Sequence, residues 1–136
     1  MTNTNNMTPN TEYTIRNISI LTNKGEKWEL CLGSFLDRFY KATNEEKLTM
    51  ITESPLNMET GYHVPFLAAM AHKLSNDNNL TPPNWVFEKR CYLSFEKSYF
   101  AFNTKNTKLR LYYMYISPPE FKHRGLFLTQ NVLTRI

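Results

Sequence analysis

One short segment of the chain brings cations and aromatic rings together: FKHRGLF, residues 121–127. Cations interleaved with aromatic side chains suit the phosphates and bases of nucleic acids. They equally suit the centre of a protein–protein interface, where arginine and aromatic residues are enriched. A third interpretation is structural: Phe121 and Phe127 anchor the loop on the core while Lys122 and Arg124 face water. The residues of the segment leave all three interpretations open.

The histidines and cysteines show no metal-binding pattern. His63, His72 and His123 lack the spacing of zinc ligands, and Cys31 and Cys91 form no Cys-x-x-Cys pair. His72 lies beside the apolar face of a predicted helix, which favours a hydrogen-bonded residue at the core boundary. We therefore expect no metal, no cofactor and two reduced, buried thiols.

The sequence also lacks the common catalytic motifs. It contains no Walker loop, dinucleotide-binding glycine motif, zinc-protease helix or nucleophile elbow. Apolar surroundings would raise the pKa of either cysteine thiol and make it unreactive. Glu45 and Glu46 are better explained as helix-capping residues than as a pair of catalytic acids. We expect no enzyme activity; a small enzyme without a recognisable motif is the alternative.

The net charge of +4 is unevenly distributed along the 136 residues. Residues 1–81 carry 7 Lys/Arg and 9 Asp/Glu, whereas residues 82–136 carry 9 and 3. The basic C-terminal part would attract an anionic partner, either nucleic acid or an acidic protein surface. Ordinary solubilising charge in a Lys/Asn-rich protein is the alternative explanation.

The chain has the composition of a cytoplasmic protein with one domain. Its first residues, MTNTNNMTPNTE, lack the apolar core of a signal peptide. No apolar run approaches the roughly 18–20 residues that a membrane span needs. We expect a disordered tail over residues 1–11, a single helical domain over 12–136 and no membrane contact.

Apolar spacing predicts helices in the first part of this domain. Residues 12–22 fit either a short helix, through Ile15, Ile18 and Leu21, or a strand, and we favour the helix. Gly25 suits a left-handed cap at its end. An amphipathic helix of about four turns follows, with one apolar stripe: Trp28, Leu32, Phe35, Leu36 and Phe39.

Two further helices are indicated by their end signals. Thr43 and Glu46 form a capping-box pattern, and Ser54-Pro55 ends the helix that it starts. Pro65 suits the first turn of the next helix. Five residues give this helix a buried face: Phe66, Leu67, Met70, Ala71 and Leu74.

The rest of the chain is less regular. Residues 80–85 predict an extended connection, anchored to the core by Trp85, Val86 and Phe87. Residues 91–102 fit a strand or a loop held by aromatics. Residues 107–116 favour a helix over a strand, with an inward face of Leu109, Tyr112, Tyr113 and Ile116. Residues 129–136 predict a last short helix capped by Thr129. The predicted class is mainly α, a single compact helical domain with Pro-rich and aromatic-rich connections and room for one short hairpin.

Three stretches of the chain resemble a family of small, mostly uncharacterised bacterial proteins. They are FLDRFY at 35–40, Pro-Pro-x-Trp at 82–85 and the closing run 117–136. Similar proteins commonly end in Phe-x-x-Arg-Asn-hydrophobic-Phe followed by Asn-Ala-Leu-x-Arg. This chain has Gly125 where Asn is usual and Val132 where Ala is usual. The resemblance covers the chain from residue 25 onwards.

Such proteins resemble candidate antitoxins, the partners of nucleotidyltransferase-type toxins that are encoded beside them. The resemblance implies a protein partner, with such a toxin as its class. We therefore expect a non-catalytic protein-binding module that neutralises or regulates its partner by occluding the partner's active site. A nucleic-acid-binding regulator that uses the basic C-terminal part is the alternative. The sequence leaves the oligomeric state open.

We expect the partner to contact the segment 121–127 and a nearby arginine. The predicted contact residues are Phe121, Lys122, Arg124, Phe127 and Arg135. Arg124 would pair with a carboxylate of the partner, because a guanidinium binds a carboxylate through two parallel hydrogen bonds. On this expectation Arg124→Ala weakens binding and leaves the thermal midpoint nearly unchanged.

Overall fold

The computed structural model of the chain describes residues 13–101 and 105–134. Backbone contacts divide it into two compact units, one up to Glu59 and one from Thr60 to Thr134. The described residues form six α-helices, three short 3-10 turns and two strands of two residues each. The predicted mainly α class is confirmed, whereas one domain over 12–136 stays a prediction.

The first unit contains three helices: α1 (Ile15–Asn23), α2 (Trp28–Phe39) and α3 (Asn44–Thr52). The ambiguous segment 12–22 is therefore helical from Ile15 onwards, because its apolar residues repeat on one helix face. Thr14 caps α1, and its side-chain oxygen accepts a hydrogen bond from the Asn17 amide at 3.0 Å.

The turns of this unit follow the sequence signals. Gly25 has φ +106°, the left-handed conformation expected at the end of α1. The Thr43 amide donates to Glu46 Oε1 at 2.9 Å, and the Glu46 amide donates to Thr43 Oγ1 at 3.2 Å. This reciprocal pair confirms the predicted capping box at the start of α3.

Apolar side chains from all three helices are buried: Ile15, Ile18, Trp28, Cys31, Phe35, Leu36, Phe39, Met50 and Ile51. On α2, Phe35 and Phe39 stack one turn apart, with ring centroids separated by 5.8 Å. The buried hydroxyl of Ser19 accepts a hydrogen bond from the Leu56 amide at 2.9 Å. This bond ties the chain that follows α3 to α1.

The second unit is built around the long helix α4 (His63–Asp77), which has Pro65 in its first turn as predicted. Its buried apolar residues are Val64, Phe66, Leu67, Ala68, Ala69, Met70, Ala71 and Leu74. The other elements follow in chain order: 3-10 turns at Asn84–Phe87, Lys89–Cys91 and Phe95–Lys97, strand β1 (Tyr99–Phe100), α5 (Thr107–Ile116), α6 (Pro119–Lys122) and strand β2 (Leu126–Phe127). The first two 3-10 turns and α6 pack on α4.

The two strands pair in parallel, with Tyr99 opposite Leu126 and Phe100 opposite Phe127. A hairpin requires antiparallel strands joined by a tight turn. Here α5 and α6 lie between the strands in the chain, so these two strands do not form the short hairpin that the sequence allowed. Within the described part of 91–102, residues 91–101, the strand is Tyr99–Phe100, and 3-10 turns and loop precede it.

Two other expectations for this unit are corrected. Trp85 and Val86 are buried as predicted, but Phe87 is 53% exposed because its 3-10 turn directs it outward. Within the described part of 129–136, the chain forms a turn instead of a helix. The Thr129 hydroxyl donates to Asn131 Oδ1 at 2.9 Å and caps no helix.

The tail predicted over residues 1–11 lies outside the described residues. Within the ranges that the structure describes, no helix has the length and apolar character needed to cross a membrane.

Candidate functional site

The structure buries most of the segment 121–127. Phe121 is fully buried, Arg124 is 1% exposed and Phe127 is 8% exposed. Lys122 is half-buried, and Arg135 lies outside the described residues. The expectation that Arg124 lies at the surface is therefore wrong, whereas the anchoring of Phe121 and Phe127 on the core is confirmed. Binding of a partner by this segment stays a prediction, and Lys122 is the accessible one of the predicted contact residues that the structure describes.

Arg124 is held by backbone carbonyls and aromatic rings. Its Nη1 donates to the Glu120 carbonyl at 2.8 Å, and its Nη2 donates to the Val86 carbonyl at 2.9 Å. The guanidinium carbon lies 4.8 Å from the centroid of the Tyr92 ring and 6.0 Å from that of Phe87. No carboxylate of the described residues forms an ion pair with it.

This environment explains how a lone cation is tolerated in the interior. Burial lowers the pKa of the Arg124 guanidinium, while Tyr92, Cys91 and Glu120 act in the opposite direction. Carbonyl dipoles and ring faces replace part of the hydration that the cation loses. Because its contacts come from three places in the chain, Arg124 joins α6, the 84–87 turn and Tyr92.

The backbone after Arg124 holds a second stretch of chain. Carbonyls of Arg124, Gly125 and Phe127 accept hydrogen bonds from three amides: Leu93 at 3.1 Å, Tyr99 at 2.8 Å and Ala101 at 2.9 Å. The backbone of residues 124–127 therefore holds the segment 93–101 in place through these hydrogen bonds.

Glycine is favoured at position 125 for two reasons. Its φ is +80°, which few residues other than glycine adopt. A Cβ placed there would lie 3.1 Å from the Cβ of Leu93. Asparagine tolerates the backbone conformation but would press on Leu93.

A polar cluster lies beside Arg124 on the facing side of α4. Asn76 Nδ2 donates to Glu120 Oε2 at 2.8 Å, and the His72 ring packs edge-on against Phe87 with centroids 5.2 Å apart. Burial lowers the pKa of His72, and the nearby charge of Arg124 lowers it further. Burial would raise the pKa of Glu120, but the Asn76 hydrogen bond and nearby groups hold it below its usual value. His72 lies at the core boundary as predicted, yet its Nδ1 is buried without a hydrogen-bond partner among the described atoms.

The predicted burial of the two cysteines as free thiols is confirmed. Cys31 and Cys91 are buried and carry free thiols. Burial raises the pKa of the Cys91 thiol, which lies 3.3 Å from the Trp85 carbonyl oxygen. Residues 13–101 and 105–134 contain no group of three His, Cys, Asp or Glu side chains placed to bind a metal.

Helix α5 presents the second candidate site, because none of its residues is buried. Its start is capped by Asn106 Oδ1, which accepts from the Lys108 amide at 2.9 Å and the Leu109 amide at 3.2 Å. Its end is fixed by the buried Ser117, whose Oγ accepts from the Leu128 amide at 2.8 Å. Both ends of α5 are thus held while its outer surface stays open.

The outward face of α5 carries three large apolar side chains, which we call the α5 stripe: Leu111, Tyr112 and Tyr115. They are 59%, 55% and 81% exposed. Residues three and four positions apart lie side by side on a helix, so the three form one continuous patch. Lys108 lies three residues before Leu111 on the same face and is exposed.

The sequence predicted a different orientation for α5. Of the expected inward residues, Tyr113 and Ile116 are half-buried, but Leu109 and Tyr112 are exposed. Because α5 is apolar around most of its circumference, its periodicity fits more than one inward face. The sequence shows the apolar residues of α5 but does not determine which of them face outward, so it did not predict the stripe.

We expect Arg124→Ala to lower the free energy of unfolding by about 2–4 kcal/mol, because two buried carbonyls lose their donor. Chemical denaturation of the full chain measures this change. Lys122→Ala is the matched control, since its exposed hydrogen bond to the Tyr115 carbonyl should contribute less than about 1 kcal/mol. Equal stability losses in the two variants would contradict the buried role of Arg124.

His72 should make stability fall in mild acid. Its pKa in the folded protein lies below the unfolded value of 6.5, so the unfolded chain binds the proton more readily. The stabilisation is complete above that value and decreases as the pH falls through it towards the folded pKa. We expect His72→Gln to flatten the stability profile between about pH 7.5 and pH 5.5. Lys41→Gln, at an exposed residue of the first unit, is the control, and identical profiles for both variants would refute the assignment.

Comparisons of this chain with protein-family models, with curated proteins and with solved structures found no match. The resemblance to candidate antitoxins therefore depends on the three sequence stretches alone and stays a prediction.

Proposed function

We propose that the protein is a non-catalytic protein-binding module and that it binds its partner through the α5 stripe. The observation that carries this proposal is the exposure of Leu111, Tyr112 and Tyr115 together on one face of a helix. Continuous exposed apolar patches on proteins commonly mark interaction sites. Tyrosine is also enriched among the residues that dominate binding energy.

The way in which α5 is held supports this role. Asn106 fixes its first turn and Ser117 fixes its end to Leu128, so the stripe is displayed on an ordered helix. Lys122 adds a hydrogen bond to the Tyr115 carbonyl at 2.8 Å. A surface that is ordered before binding loses less conformational entropy when the partner docks.

The charges around the stripe define the chemistry of the partner. Lys105, Lys108 and Arg110 are exposed in or just before α5, and the sequence contains no acidic residue between Lys97 and Pro119. A complementary partner has an apolar groove with an acidic rim, into which one face of α5 fits. Tyr112 also lines an open cleft of about 480 Å³ next to residues 129–134, which offers space for a partner side chain.

The partner class that we propose is the nucleotidyltransferase-type toxin implied by the resemblance, with occlusion of its active site as the mechanism. The α5 stripe takes the place of Phe121, Arg124 and Phe127 as the principal contact surface, because those three side chains are buried. Lys122 remains a contact at the edge of the surface. The cytoplasm is the proposed location.

The test is a pull-down of the wild type and a stripe variant from the native host, with and without nuclease, followed by mass spectrometry. Leu111→Ser with Tyr115→Ser should weaken capture of a stoichiometric protein at least about tenfold and leave the thermal midpoint unchanged. The matched control is Leu30→Ser with Phe95→Ser, because these side chains are 65% and 83% exposed outside α5.

Retention of the partner by the stripe variant would refute the α5 assignment. Recovery of nucleic acid alone, or of proteins lost after nuclease treatment, would favour the nucleic-acid-binding regulator. That alternative is supported by the excess of basic residues over acidic ones in 82–136. Its distinguishing property is an affinity that falls steeply as salt is raised.

A further inference from the structure

A second surface of the Thr60–Thr134 unit forms a cleft that the α5 proposal does not use. Its volume is about 490 Å³, within the range of about 300–1,000 Å³ typical of small-ligand sites. We call it the tyrosine cleft, after its three aromatic residues: Tyr62, Tyr92 and Tyr99. It lies between the start of α4 and the segment 90–99.

The aromatic walls of the tyrosine cleft are held by contacts between two of its rings and with residues outside its lining. Tyr62 and Tyr99 stack nearly parallel, with centroids 3.9 Å apart and an angle of 11° between the rings. Tyr99 is also held through its amide, which donates to the Gly125 carbonyl at 2.8 Å. The Tyr92 ring packs against the guanidinium of Arg124. These rings form a preordered surface for another flat ring.

The charged residues that line the cleft are both basic. Arg90 and Lys97 contribute the cations, Ser94 and Ser98 contribute hydroxyl groups, and no carboxylate belongs to the lining. Glu88 lies next to it and accepts a hydrogen bond from Arg90 Nε at 3.0 Å. Even with Arg90 paired to Glu88, Lys97 leaves a positive charge at the cleft, and this charge favours an anionic ligand.

We propose that the tyrosine cleft binds a nucleoside 5′-phosphate, either free or as one unit of a single-stranded nucleic acid. The base stacks on a tyrosine ring, as bases do on aromatic side chains in single-strand-binding proteins. The phosphate lies between Arg90 and Lys97, and the sugar faces the serine hydroxyls. A simple anion would leave the rings unused, and a neutral aromatic compound would leave the cations unused.

Arg124 acts in this site as a positioning residue. It contacts no ligand, but it packs on Tyr92, and its carbonyl accepts a hydrogen bond from the Leu93 amide at 3.1 Å. The same interactions that bury the arginine therefore set one wall of the cleft. The stripe and the cleft share no residue, so a variant of one leaves the other intact.

The test is a two-dimensional amide NMR titration of the full chain with five probes: AMP, UMP, adenosine, inorganic phosphate and an eight-nucleotide thymidine oligomer. We expect both nucleotides to shift the amides of Tyr92, Ser94, Lys97 and Ser98. Adenosine and inorganic phosphate alone should bind at least about tenfold more weakly, because each lacks one of the two halves recognised. Stronger binding of the oligomer than of free nucleotide would identify a nucleic acid as the source of the ligand, and the reverse would identify a free nucleotide.

Variants of Tyr92 and of Lys97 measure the contributions of the ring and of the charge to nucleotide binding separately. Tyr92→Leu should weaken AMP binding about tenfold or more, whereas Tyr92→Phe keeps the stacking surface and should bind normally. The exposed Lys97→Gln should weaken AMP binding and reduce the salt slope of oligomer binding by about 0.7. Tyr40→Leu and Lys41→Gln, at exposed residues of the first unit, are the matched controls and should leave nucleotide binding unchanged.

Three results would overturn the proposal. The first is the absence of shifts at the cleft amides with any nucleotide. The second is equal binding of inorganic phosphate and AMP, which would leave only a general anion site. The third is an unchanged AMP affinity in Lys97→Gln. Because Lys97 is exposed, we expect this variant to fold like the wild type.

Discussion

The second unit depends on one interaction, the burial of the Arg124 guanidinium between the carbonyls of Glu120 and Val86 and against the ring of Tyr92. A buried cation is costly to desolvate, and hydrogen bonds to a charged group contribute about 1.5–3 kcal/mol each. These opposing terms are of similar size. The arginine therefore contributes less to net stability than to the choice of arrangement, because burial of the cation away from these two carbonyls would leave it without their hydrogen bonds.

From Arg124 the chain continues as a scaffold for both candidate surfaces. Gly125 and β2 hold the segment that carries Tyr99, and Leu128 binds Ser117 at the end of α5. The tyrosine cleft and the α5 stripe are thus set by neighbouring residues of one short run. This run positions residues that face outward, while its own Arg124 and Phe127 side chains are buried.

Much of the helical structure could be predicted because local rules decide it. The capping box at Thr43 and the left-handed Gly25 depend only on nearby residues. The burial of Arg124 could not be predicted, since its acceptor at Val86 lies 38 residues away in the chain. The parallel strands could not be predicted either, because two residues are too few to show a strand periodicity. The outward face of α5 could not be predicted, because apolar residues lie on more than one side of this helix.

Amide hydrogen exchange at Leu93, Tyr99 and Ala101 tests the central role of Arg124 most directly, because these amides donate to the run 124–127. The comparison is between the wild type and Arg124→Lys, which keeps the charge but cannot reproduce the planar fork or its stacking. The account predicts that all three amides lose protection together, while the Ile18 amide of α1, which donates to the Thr14 carbonyl, keeps its own. Unchanged protection of the three amides in the folded variant would contradict it.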